Sequence, residues 1–212
     1  IDQGYKVGII DMTQGELGSR GSVETRYAEA AAANNIMGIK VRHNLKMEDG
    51  FFRNTPENQM KVIEMIRLYR PNIVLANAIE DRHPDHGRGS RLVSEACFYS
   101  GLLKIKTSYD GKEQEHHRPK AVYHYIQDRY IEPDFVVDVS SYVERKMEAI
   151  QAYSTQFYNP NDPSPNTPIS SQEFLDFLKG RMWQFGRSIN VQSAEGFTVE
   201  RTLGVKDLFD LL

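Results

Sequence analysis

Apolar residues fall in short runs along this chain, and their spacing alternates between strand-like and helix-like. Residues 6–11, Lys-Val-Gly-Ile-Ile-Asp, form an apolar run with β-branched positions and predict a buried strand. A loop carrying Gly15, Gly18 and Gly21 follows. Ser22 then stands where an N-cap belongs, before an Ala-rich helix running to about Met37 and ended by Gly38. Residues 39–45 predict a second strand. Pro56 opens a helix with Val62, Ile63, Ile66, Leu68 and Tyr69 on its apolar side, and Pro71 lies just past its end. Residues 72–78 are apolar enough for a third strand buried on both faces.

Residues 87–101 predict a helix carrying Leu92, Val93, Ala96 and Cys97. Residues 107–119 are polar and loop-like, 121–126 and 134–139 predict strands, and Ser140 is placed to cap a helix with Val143, Met147, Ile150 and Phe157 on one face. Residues 159–168, rich in Pro and Asn, predict a loop, and residues 174–189 a last long helix. The alternation through the first hundred residues predicts an α/β fold with a Rossmann-like, mostly parallel sheet flanked by helices. Ligands bind such sheets at the strands' carboxyl ends, so the loops at 13–26 and 79–86 are the ones expected to carry function.

Composition narrows this further. The 212 residues, 40% hydrophobic and 26% charged, suit one packed domain over residues 1–212. A net charge of -3 without a basic stripe argues against a nucleic-acid partner, and the apolar runs are too short to span a membrane. Cys97, the single cysteine, excludes an intrachain disulfide and fits a reducing, cytoplasmic compartment. The opening Ile1-Asp2-Gln3-Gly4 is no signal peptide. With Gly4 just before a strand it looks like a helix's last turn, so the natural N-terminus is expected to be lacking.

The chemistry concentrates in Asp81-Arg82-His83-Pro84-Asp85-His86. One imidazole could bind a metal and the other act as proton donor or oxyanion stabiliser, with Asp85 orienting a histidine. Alternatively Asp85 caps the next helix and the histidines are surface residues. A catalytic zinc wants about three protein ligands and a water. His43, His116, His117 and His124 read as structural or exposed, so the set stays incomplete within this chain. Glu16 could hold a sugar hydroxyl or an arginine, or simply face solvent. Arg20, Arg26 and Arg118 could grip an anionic substrate, or be surface charge. No Gly-x-Ser-x-Gly elbow is present, and nothing in the sequence activates Cys97.

Together these segments resemble the LmbE-like (PIG-L) family of zinc N-deacetylases, and within it the bacillithiol-biosynthesis branch. The carriers are residues 4–11, Gly15-Glu16-Leu17-Gly18, Asp81 to Gly87, Ala152-Tyr153 with Thr155-Gln156-Phe157, Thr167-Pro168 and Ala194-Glu195-Gly196-Phe197. The resemblance implies hydrolysis of the N-acetyl group of an N-acetylglucosaminide, such as N-acetylglucosaminyl malate, a chitooligosaccharide or a glycolipid. The expected partner is thus a small amino-sugar conjugate, handled by a homo-oligomer. It implies Zn2+, or another divalent metal, with His86 as a ligand. His83 and Asp85 are implied as the catalytic helper pair, with Arg26 and Arg118 lining the substrate pocket. It also implies a His-Pro-Asp-Asp segment supplying two more ligands and the base, with a first sheet strand. Neither occurs in these 212 residues, so this chain alone is expected to be inactive. A non-catalytic carbohydrate- or anion-binding domain remains the alternative of a different class.

Overall fold

The computed structural model describes residues 1–211. In chain order the main elements are β1 (Gly8–Thr13), α1 (Val23–Met37), β2 (Val41–Met47), α2 (Pro56–Tyr69), β3 (Ile73–Ala76), α3 (Pro84–Tyr99), β4 (Ser108–Tyr109), β5 (Lys112–Glu113), β6 (Ala121–Tyr125), β7 (Phe135–Asp138), α4 (Val143–Gln151), α5 (Gln172–Ser188) and β8 (Ala194–Val199). They pack as two compact units, Ile1–Arg53 with Val136–Glu195, and Asn54–Phe135 with Gly196–Leu212.

In the first unit β1 and β2 pair in parallel, Gly8 opposite Val41 and Asp11 opposite Asn44. The connecting α1 begins where the sequence places it. Ser22 accepts from the Thr25 N–H while the Thr25 hydroxyl serves the Ser22 N–H, a reciprocal capping box. It ends on Gly38, whose φ of 72° suits a residue without a Cβ. Buried Glu29 accepts from the N–H and hydroxyl of Thr155, fastening the segment after α4 to α1. Met147, Leu175 and Met182 form this unit's core, with Val143, Ile150 and Phe157 packed against it.

In the second unit β3 pairs in parallel with β6, and β6 in antiparallel fashion with β8. Within this unit the strands run in the order β3-β6-β8. The fold is therefore α/β with mixed sheets, rather than mostly parallel. The antiparallel β8 and the β4–β5 hairpin lie in stretches whose apolar pattern carries no strand signal. β3 is also not buried on both faces, since Ile73 and Leu75 are 53% and 57% exposed. It is an edge strand, and its side chains alternate between open and covered faces. α2 packs on α3, with Ile63 and Leu92 among the most fully buried side chains. Arg67 is buried too, and donates to the carbonyls of Ser100, Leu102 and Ile105 and to the Thr107 hydroxyl, fixing the turn after α3.

Candidate functional site

The segment from Asp81 to His86 leaves the carboxyl end of β3 and runs into α3. His83 is the N-cap of α3, and its Nδ1 accepts from the Asp85 N–H at 3.2 Å. Pro84 occupies the first helical position, where its missing N–H costs nothing. With Nδ1 accepting, the ring proton belongs on Nε2. Asp85 does not cap the helix. It stands in the first turn, where a carboxylate suits the helix dipole, and its Oδ1 lies 3.0 Å from Arg88 Nη1.

His86 is held differently. Its Nδ1 lies 2.5 Å from the Asp81 Oδ2, and Asp81 Oδ1 accepts the backbone N–H groups of Asp128 and Arg129 at 3.2 and 2.8 Å. Burial alone would raise the Asp81 carboxyl. The hydrogen bonds from the Arg129 and Arg82 backbone and from His86 outweigh it and hold the group below the usual carboxylate range. A carboxylate on Nδ1 keeps the proton there and leaves Nε2 as the free lone pair, the arrangement that prepares an imidazole for a metal. The carboxylate on His86 Nδ1 is thus that of Asp81, while Asp85 meets His83 through its backbone N–H. The signal of Asp81 in the sequence was only its membership of the same short segment. The rings of His83 and His86 lie 5.3 Å apart, so the structure does bring the two histidines together.

His86 fits one metal ligand. Among the described residues no group of three His, Cys, Asp or Glu side chains gathers to hold an ion, so the rest of a zinc set is not supplied there.

The remaining candidates are dispersed. Arg118 donates to the Phe98 carbonyl and stacks over the Phe98 ring at 4.2 Å. That is the far end of α3 from His83, roughly 20 Å along a helix rising about 1.5 Å per residue. Arg118 is therefore not brought to the histidine segment. Arg82, beside His83 in the chain, instead ion-pairs with Asp128 at 2.7 Å. Glu16 belongs to the first unit and accepts the N–H groups of Gln14 and Asp49, which shapes its own loop.

Arg26, also in the first unit, lines a cleft of about 190 Å³ with Asp11, Gln14, Tyr27, Arg42 and Tyr153 among its walls. Its buried Nε lies 3.8 Å from the Glu29 carboxylate, an ion pair beyond hydrogen-bond reach, and burial lowers its guanidinium pKa more than the Glu29 charge raises it. Among the cleft's lining residues Arg42 grips Asp11 with two hydrogen bonds, at 2.6 and 2.8 Å. Cys97 is buried, and burial, with the Glu200 charge adding to it, pushes its thiol up to about 12. It is no nucleophile. Among the described residues no helix is long and apolar enough to cross a membrane.

A family model described as GlcNAc-PI de-N-acetylase (PIG-L) matches residues 1–97. The curated diacetylchitobiose deacetylase of Thermococcus kodakarensis is 29% identical over 153 residues, covering 71% of this chain. The chain spans 56% of that relative's length, little more than half. Among solved structures, the conserved protein TT1542 from Thermus thermophilus superimposes with a TM-score of 0.82 at 32% identity. The match covers 97% of this chain and 86% of that one. The N,N'-diacetylchitobiose deacetylase from Pyrococcus horikoshii, complexed with its inhibitor MPG, gives 0.76 at 22% identity, over 100% and 79% of the two chains, and speaks for the fold.

Proposed function

We propose that the chain is a PIG-L/LmbE deacetylase, as the family model over residues 1–97 supports, and that its gene product is a metal-dependent hydrolase that removes the N-acetyl group of an N-acetylglucosaminide. The observation that carries the proposal is the Asp81–His86 pair at the end of β3, with the His83 ring beside it. Asp81 holds the His86 tautomer that can ligate a metal. His83 accepts at Nδ1 and so offers its Nε2 proton to a developing oxyanion or to the leaving amine. Asp85 adds negative charge next to that ring in the chain. Zinc is the proposed metal; it would polarise the amide carbonyl and activate a water.

The substrate class favoured is a chitooligosaccharide such as diacetylchitobiose, because the curated relative is named for that activity. This displaces N-acetylglucosaminyl malate, the narrower expectation raised by the sequence, to second place. The malate reading rests on Arg26, whose guanidinium lines the cleft of the first unit, where a cation would suit a carboxylate. Glu16 is proposed to bind substrate only through the loop it shapes. Arg118 is assigned to the fold.

The test is release of free amine by the zinc-loaded, full-length gene product, offered diacetylchitobiose and N-acetylglucosaminyl malate in parallel. Faster release from the first supports the favoured substrate, and faster release from the second reverses the order. No release from either, or from a glycolipid N-acetylglucosaminide, ends the deacetylase reading in favour of a binding domain.

A further inference from the structure

Against both ends of the histidine segment lies a third imidazole, to which the proposed reaction assigns no role. His124 on β6 is 3% exposed, and it touches three polar groups from three different parts of the second unit. Its Nδ1 lies 2.9 Å from the Asn77 carbonyl, at the start of the segment, and 2.8 Å from the Ser90 hydroxyl, inside α3. Its Nε2 lies 3.0 Å from the Glu200 carboxylate, just past β8. Ser, His and Glu in contact suggest a nucleophile relay, but the Ser90 hydroxyl is buried within a helix, where no substrate reaches it.

The partners occupy both ring nitrogens: Nδ1 faces the Asn77 carbonyl and the Ser90 hydroxyl together, and Nε2 faces the Glu200 carboxylate. Asn77 and Ser90 bracket residues 78–89, which contain Asp81, His83 and His86. One ring therefore ties both ends of the segment, and Glu200 anchors the ring. The same stretch is held a second time by Gln127, whose Oε1 accepts from the Asn77 side chain at 3.2 Å and the Ala78 N–H at 3.5 Å.

We propose that His124, held by Glu200, is a positioning residue that clamps Asn77 to Ser90 and so sets the spacing of His83 and His86. Glu200 holds the imidazole from its Nε2 side, which keeps Nδ1 between Asn77 and Ser90. The consequence for hydrolysis rests on the deacetylase reading, while the consequence for the segment's order does not.

The experiment has two arms. In the first, amide hydrogen exchange of residues 78–86 is compared between the wild-type chain and Glu200→Gln, which keeps the shape and removes the charge, with His124→Gln as the stronger variant. Exchange at 78–86 is expected to quicken about tenfold, while the β4–β5 hairpin in the same unit stays within twofold. Equal acceleration throughout the unit, or none at 78–86 in both variants, overturns the clamp. In the second arm, Glu200→Gln in the full-length gene product is expected to lower kcat about tenfold with KM within twofold, and Glu200→Asp to recover part of the loss. A changed KM at constant kcat overturns the link to His83 and His86. If the wild type hydrolyses nothing, the deacetylase reading falls and the exchange arm still decides the clamp.

Discussion

An imidazole can ligate through either nitrogen, and the choice is made by whatever holds the other one. Asp81 makes that choice for His86. Asp81→Asn keeps the volume and one acceptor for the backbone of residues 128 and 129, but its amide donates to Nδ1 and forces the ring proton onto Nε2. Zinc affinity of the full-length gene product is expected to fall about 10–100-fold, measured by competition with a chelator; unchanged affinity would remove Asp81 from the site. Cys97 gives a second expectation. Its folded pKa is raised from 9.0 to about 12. The stability it contributes is thus fully present below about pH 9 and lost as the pH rises towards 12. The stability of the wild type relative to Cys97→Ala should stay level from pH 7 to 8.5 and decline above 9, followed by urea unfolding. Asp81 to His86 was legible because it concentrates ligand-type side chains after an apolar run. The division of labour among its two acids was not, because it depends on backbone donors nearly fifty residues away.

Helices were the easiest elements to read, since their ends are written in local chemistry. Ser22 and Gly38 bound α1, and Thr55, which accepts from the Asn58 N–H, precedes Pro56 at the start of α2. Ser22→Ala should therefore cost about 1 kcal/mol and Ser22→Asp almost nothing, by urea unfolding; equal losses would show that the cap is not what matters. The helix expected after Ser140 begins instead at Val143, following a 3-10 turn at Ser140–Tyr142, and ends at Gln151, so Phe157 packs on the core from a loop. Strands were read less well. β1 and β2 start two residues later than their apolar runs and extend further. Pairing sets a strand's limits, and pairing partners leave no local mark. For the same reason the antiparallel β8 passed unnoticed.

At the scale of the whole molecule, the strands of the described residues fall in three sheets where the sequence suggested one, and those residues pack as two compact units. The chain passes out of the first unit after Arg53 and back at Val136, and no composition shift marks either place. Each unit has its own polar fixture. In the first, Asp11 and Arg42 line a cleft; burial alone would lower the Arg42 pKa, and the hydrogen bond and charge of Asp11 more than reverse that. In the second, Arg67 is buried against acceptors alone. The candidate chemistry is unevenly shared, since His83, His86 and Asp81 all belong to the second unit.

Asp81 is recognised through main-chain N–H groups, and those carry no signature in a list of side chains. In a saturation scan read out by metal retention, position 129 should accept nearly every substitution, for its side chain reaches only the exposed Glu80. Proline alone, which removes the donor that Asp81 needs, should be lost from the functional pool. An inventory of the residues that matter, drawn from alanine variants, would pass over this position altogether.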